Sequence, residues 1–413
     1  MHPAKGSGIV RISNPASSFI DFPMSRFHSY ISSASKIIDN YDGGKPLMYH
    51  LKAFFAAKKK YGSRDRKTIA SLCYGYFRTG HALSHTTTAE KIIAGIFLSE
   101  NKSNEMLALI RPEWNALVTL NVREKLSMLK LTPQAIFPFA DEVGDGIDAT
   151  HFALSFLQQP ELYLRIRPGR AKQVLDKLNH GLVPFENITE HCLQLPNKTS
   201  IDDILTLNRE AVIQDRNSQR VLNFLEKNPA YFLAKQKVAA WDCCAASGGK
   251  AVLLNDIIKG KLQLTVSDIR ENILLNLDKR FQQAGININK KFTADLTKES
   301  GLPATELFSI IICDAPCTGS GTWSRTPEQL YYFKKNTIIE YAERQKKIVS
   351  NIVPHLRPGG LLFYITCSVF NEENEEVVEF IKEKFHLPVL EMEYLKGYDI
   401  KADSMFVAVF STR

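Results

Sequence analysis

Val238-Ala-Ala-Trp-Asp242-Cys-Cys-Ala-Ala-Ser247-Gly-Gly249-Lys250 reads as a short apolar run, a turn of small residues and the start of a helix. Four further apolar runs follow, at Leu264–Val266, Leu307–Ile312, Leu361–Ile365 and Phe406–Phe410. Helical spacing fills the intervals at Lys250–Ile258, Glu271–Ala284, Ile338–His355 and Glu373–Lys384. Strands alternating with helices predict an α/β domain, residues 211–413, whose mostly parallel sheet is covered on both faces. In such sheets ligands gather at the carboxyl ends of the strands.

Upstream, the pattern changes. Tyr163–Arg167 alternates apolar and charged residues like a half-buried strand, Ala171–His180 is amphipathic with helical period, and Phe185–Ile188 and Cys192–Leu195 are strand-like. Residues 150–210 are therefore expected to form a small α+β module. Between residues 24 and 149 apolar residues such as Ile37, Ile38, Leu51, Phe55, Ile69, Leu72 and Phe77 recur at spacings near three and four, which predicts a helical domain. Residues 1–23 are polar and rich in Ser and Pro, and are expected to be a disordered tail.

A chain of 413 residues, 44% hydrophobic and 23% charged, can bury ordinary globular cores. No apolar stretch is long enough for a membrane span and no signal peptide opens the chain, so a cytoplasmic protein with no membrane partner is expected. Seven cysteines are an odd set for a disulfide framework. The His81 and His85 pair has no third ligand nearby, and no metal is expected. Residues 1–100 hold 14 Lys or Arg against six Asp or Glu, which equals the whole net charge of +8. Such asymmetry suits a polyanionic partner as well as a solvated helix face. Nothing resembles a coiled coil, and a monomer is expected.

The turn after Trp241 lacks a phosphate-binding fingerprint. Its small residues nevertheless let backbone approach a flat polar ligand. Asp268 closes the next strand, where a carboxylate can take both hydroxyls of a ribose; a helix N-cap is the alternative. Asp295 follows the strand after that, placed either for an adenine amine or as a solvated turn residue. Together these positions suggest an adenosyl ligand.

Two later strands end in thiols. Leu307–Asp314 runs into Ala315-Pro-Cys317-Thr-Gly-Ser-Gly321, and Leu361–Thr366 into Cys367-Ser368. A lone cysteine at a strand end is usually packing, the reading given to Cys73, Cys192, Cys243 and Cys313. Two thiols beside a carboxylate suit addition to a pyrimidine. A thiolate adding at C6 of cytosine breaks aromaticity and loads electron density onto C5, while an acid at N3 absorbs charge. C5 then takes a methyl group from a sulfonium, and a second group assists elimination. The residues leave the two thiol roles interchangeable.

These segments closely resemble the Sun-type (RsmB-like) RNA cytosine-5 methyltransferases, whose pattern runs D-x-C-A-A-P-G-G-K, D-A-P-C-[ST]-G-[ST]-G and T-C-S before an acidic E-E-N-E. They correspond to Asp242–Lys250, Asp314–Gly321, Thr366–Ser368 and Glu372–Glu375. Val212–Gln219 is similar to the family's V-Q-D-x-x-S-Q segment, and residues 150–210 resemble its RNA-recognition-like subdomain. Gly62–Arg66 with Tyr74–Arg78 is more loosely similar to the NusB-like helical domain of bacterial members, which implies an RNA-docking role for residues 24–149.

The resemblance implies a class I methyltransferase fold with a Rossmann-like, seven-stranded sheet, and S-adenosyl-L-methionine as cofactor. It implies Cys244, Ala245, Ala246, Ser247, Gly248, Gly249 and Lys250 as the cofactor loop, Asp268 and Asp295 as ribose and adenine carboxylates, and Asp314 as a further site carboxylate. It makes Cys367 the nucleophile and Cys317 the thiol that assists product release, with Lys250 orienting Asp314. The family's loop proline is Ser247 here, from which altered loop stiffness with retained cofactor binding is expected. Arg325 has two readings, a contact to RNA phosphate or loop backbone, and an exposed loop residue. RNA is the expected partner, ribosomal RNA ahead of transfer RNA. A DNA cytosine methyltransferase would instead attack with Cys317. An amino-group methyltransferase would need no thiol, and a non-catalytic RNA-binding or assembly factor could dispense with both.

Overall fold

The structure, a computed structural model, describes residues 21–233 and 236–412, with side chains from residue 26. The expected tail falls, up to residue 20, outside the described residues. The chain divides into two compact units that meet in sequence between Leu131 and Thr132.

The first unit is helical. Its main helices are Asp21–Asp39, Leu47–Ala57, Ser63–Arg78 and Thr88–Ser99, followed by shorter helices to Met128. Ile37, Leu47, Ile69, Phe77, Ile92 and Phe97 are fully buried in its core. Thr87 caps the fourth helix in a reciprocal box with Glu90. The third and fourth helices cross at Gly75 and Gly95, where a Cβ on Gly95 would stand 2.2 Å from the Gly75 carbonyl oxygen.

In the second unit, β1 (Leu162–Ile166), β2 (Glu186–Thr189), β3 (Cys192–Leu195) and β4 (Ala211–Ile213) form an antiparallel sheet in the order β2-β3-β1-β4. The helix Ala171–His180 contributes Val174 and Leu178 to its core, with Leu164, Ile166 and Leu193 opposite. The charged positions of β1 differ from the expected solvent face. Arg165 and Arg167 are both buried and converge on Asp256 of the helix Gly249–Ile258, at 2.5 and 2.7 Å. Gln214 adds a 2.8 Å contact to Arg165. The small module is thereby fixed to the larger sheet through charge-assisted hydrogen bonds.

The larger sheet contains β5 (Val238–Asp242), β6 (Leu262–Asp268), β7 (Lys290–Thr293), β8 (Phe308–Asp314), β9 (Leu356–Thr366), β10 (Val389–Leu395) and β11 (Met405–Ser411), in the order β10-β11-β9-β8-β5-β6-β7. Pairing from β5 to β9 is parallel, while β11 lies antiparallel to both its neighbours. Long apolar runs make the central strands. Ile310, Ile311, Ile312, Phe363, Tyr364 and Ile365 are almost fully buried. From β5 the chain runs outward to β6 and β7, then returns across the sheet to β8. The reversal opens a crevice at the carboxyl ends of β5 and β8. Segment 132–155 also packs in this unit, Phe137 stacking on Phe370 at 6.3 Å and the Gly144 N–H donating to Val369.

Candidate functional site

The cofactor-loop candidates line one rim of that crevice. Main-chain bonds tie the loop to both neighbouring strands, Cys243 N–H donating to Ile312 and Ala245 N–H to Ser267. Ala246 has φ +47° and Gly248 φ +82°. At Gly248 only glycine fits, since a Cβ there would lie 2.3 Å from the Phe281 ring. Gly249 opens the helix, and Lys250 follows in its first turn.

Asp268 is buried at the end of β6 and does not cap the next helix. Its Oδ2 accepts the Ala246 N–H at 2.9 Å, and its Oδ1 accepts both the backbone N–H and Nε–H of Arg270 at 2.9 Å. Burial opposes its charge, but the Arg270 and Ala246 hydrogen bonds outweigh it and hold the carboxyl below its ordinary range. Asp295, after β7, accepts from the Thr297 N–H and hydroxyl at 3.1 and 2.6 Å and remains partly exposed. The two predicted carboxylates thus stand at or just beyond the carboxyl ends of neighbouring strands, β6 and β7.

Across the crevice, Asp314 ends β8 and pairs with Lys250 at 2.5 Å. Burial works against the lysine's charge, yet Asp314 outweighs it and holds the ammonium above its usual range. The Sγ atoms of Cys317 and Cys367 lie 3.3 Å apart, one strand end beside the next. Cys317 is held well above the ordinary thiol range by its hydrogen bond to Cys367 and by burial.

Sequence reading missed what braces these thiols. Glu373, wholly buried, accepts from the Thr318 N–H and hydroxyl at 2.8 and 2.6 Å and from the Ser368 hydroxyl at 2.8 Å. One carboxyl thus grips the residue after each cysteine. Burial raises its pKa despite those donors. Asn374 completes the brace, accepting from the Thr366 hydroxyl and donating to the Ser368 carbonyl. The acidic run after T-C-S was the available signal.

Asp242 was also missed as a site residue. It is 1% exposed, and neither carboxylate oxygen meets a donor within the protein. Burial, then the charges of Asp314 and Cys244, push its pKa well up. Orphaned buried oxygens of this kind fit a ligand that brings its own donors.

Arg325 is not the exposed loop residue of its second reading. Its guanidinium pairs with Asp403 and Asp215, each at 2.7 Å, and donates to the Glu161 carbonyl. Cys73, Cys192, Cys243 and Cys313 are buried in the packing, as read from the sequence. Cys243 and Cys313 do, however, bring their sulfurs within 4.8 Å of each other and of the Cys244 sulfur, among Trp241, Phe308 and Ile311.

A family model described as 16S rRNA methyltransferase RsmB/F matches residues 230–409. The chain is 29% identical over 229 residues to "Probable ribosomal RNA small subunit methyltransferase B" of Bacillus subtilis (strain 168), covering 54% of this chain and 50% of that protein. It is 29% identical over 160 residues to "Ribosomal RNA small subunit methyltransferase F" of Vibrio parahaemolyticus, covering 38% of this chain and 33% of the other. The matches thus span half or less of these relatives' length. Among solved structures, the crystal structure of PH0851 superposes with a TM-score of 0.68 at 18% identity, covering 97% of this chain and 99% of the other. NSun6 from Pyrococcus horikoshii with SFG gives 0.56 at 14% identity, covering 68% and 96%. The larger sheet has the class I methyltransferase fold.

Proposed function

We propose that the chain, whose residues 230–409 match the RsmB/F methyltransferase family model, transfers a methyl group from S-adenosyl-L-methionine to C5 of a cytosine in RNA, through a covalent adduct on Cys367. The observation that carries this reading is the pair of thiols 3.3 Å apart beside the Asp314–Lys250 ion pair. Packing alone needs neither the close sulfurs nor the buried carboxyl that grips both turns.

The residues around the crevice fit the cofactor. Asp242 offers unpartnered oxygens to an ammonium group, and Asp268 is the carboxylate assigned to the ribose hydroxyls. When bound, S-adenosyl-L-methionine supplies an electrophilic methyl group. Everything else falls to the chain. The neighbouring Cys367 sulfur and burial hold the Cys317 thiol well above its ordinary range, which favours its protonated form, and Cys367 is the thiol assigned to attack C6. Asp314, with the Lys250 ammonium behind it, is the group assigned to the pyrimidine N3 edge. For release, Cys317 must first pass its own proton to solvent; as a thiolate it then takes the C5 proton, the C5–H electron pair re-forms the C5–C6 double bond, and Cys367 leaves as a thiolate, which closes the cycle.

RNA as substrate is supported by the basic balance of residues 1–100 and by a groove of about 760 Å³ lined by Arg170, Arg209 and Lys259. Ribosomal RNA, in the cytoplasm, is the substrate proposed on the names of the relatives. The decisive experiment incubates the protein with S-adenosyl-L-methionine and RNA containing 5-fluorocytosine, then maps the crosslinked peptide. Attachment at Cys367 is expected. Attachment at Cys317, or no methyl transfer to any cellular RNA, overturns the assignment.

A further inference from the structure

The cofactor loop departs from the related pattern at one position, Ser247 in place of proline. Proline fixes φ near −65° and stiffens a turn; serine leaves that torsion free. A loop that must present backbone to a ligand needs the restraint from elsewhere. Ala246 is held by Asp268 at 2.9 Å, and Gly248 lies over Leu277 and Phe281. Ser247 itself is exposed between them.

What reaches Ser247 is Arg280, one helical turn from Leu277 on the helix Glu271–Ala284. Its Nη1 donates to the Ser247 hydroxyl at 3.1 Å and lies 3.4 Å from the Ser247 carbonyl oxygen. The arginine is not a loose surface chain. Its Nε donates to the Asn208 side chain at 2.9 Å, and Asn208 donates onward to Gln283 at 2.8 Å. Asn208 is fixed in turn, since its N–H donates to the Ala211 carbonyl and its own carbonyl accepts from Arg167. A guanidinium anchored at one edge presents its other edge in a defined direction, which lysine cannot reproduce. Serine supplies the hydroxyl acceptor that proline lacks.

We propose that Arg280 is a positioning residue of the cofactor loop, replacing through Ser247 the restraint that related loops draw from proline, and that Asn208 sets its direction. The proposal rests on the cofactor reading of the loop given above. Its consequence is that the effects of residues 247 and 280 are not additive.

The test titrates S-adenosyl-L-methionine calorimetrically into the full-length wild type, R280M, R280K, S247A, S247P and the doubles S247A/R280M and S247P/R280M. Their thermal midpoints are followed in parallel. R280M should weaken binding about tenfold, R280K should fail to restore it, and S247P should bind within about threefold of wild type. In both doubles, the arginine substitution should cost much less than it does alone. The turnover number of R280M at saturating cofactor should stay within about twofold, separating loop positioning from chemistry. Amide exchange at Gly248 and Gly249 in the ligand-free protein should quicken in R280M and return to wild-type rates in S247P/R280M. Full additivity, or R280M indistinguishable from wild type in both readouts, overturns the proposal. If wild type takes up no S-adenosyl-L-methionine while the exchange pattern holds, the functional reading fails and the strap stands.

Discussion

Cys317 and Cys367 stand at hydrogen-bond distance, their sulfurs 3.3 Å apart. Under the proposed mechanism their removal has opposite signatures. Cys367→Ala should lower methyl transfer by about 10³-fold or more and leave no adduct, as radiolabel transfer and gel shift would show. Cys317→Ser should accumulate a denaturation-resistant protein–RNA complex, because addition proceeds and elimination stalls; a variant that turns over normally would contradict its role. A second residue-level prediction concerns Asp403, whose pKa burial and the Asp215 charge raise to about 7 against the Arg325 pairing. Below the ordinary value of 3.8 the group is protonated in both folded and unfolded chains, so its contribution is fully present there. As pH rises toward 7 the unfolded chain releases the proton first, and that stability is lost. Asp403→Asn should flatten the fall of the thermal midpoint across this interval. The two thiols, Asp314 and the loop were legible because strand ends and motif spacing expose them. Asp242 and Asp403 were not: an aspartate's partners, or their absence, are a property of packing that the linear sequence does not carry.

At the scale of elements, the cofactor turn depends on a conformation rather than a side chain. Gly248→Ala would combine positive φ with a collision against Phe281, and should cost about 2 kcal/mol or more of stability, measured by urea denaturation, with weakened cofactor binding. An alanine variant as stable as wild type would mean the turn relaxes freely. The central strands were readable because burial on both faces makes them continuous apolar runs. Edge strand β10 carries charge at Glu391 and Glu393 and escaped the same reading. The short β4 lay hidden in Ala211–Ile213, three residues that no period distinguishes from a loop. In β1 the alternation was read correctly as strand, but Arg165 and the adjoining Arg167 turned out to be buried, both paired with Asp256 and Arg165 also with Gln214.

Across the whole molecule, the net positive charge rests in the helical unit, where Lys58, Lys59, Lys60, Arg64 and Arg66 crowd an exposed corner. If that unit docks RNA, replacing Lys58, Lys59 and Lys60 with glutamate should weaken RNA binding and reduce the salt slope by about one per lost phosphate contact. S-adenosyl-L-methionine affinity should be unchanged; an unaltered slope would move the docking surface elsewhere. The order of the larger sheet has one more consequence. Everything proposed to hold the methyl donor from β5 to Asp295 is encoded in one uninterrupted stretch, and everything proposed to act on the acceptor base, from Asp314 to Glu373, in the next. The boundary falls in the segment between β7 and β8, and the ion pair of Lys250 with Asp314 is a stitch across it. A lineage could exchange the downstream block for one of different acceptor chemistry by a single recombination near residue 300, inheriting the donor half intact, provided the newcomer brought a carboxylate to meet that lysine.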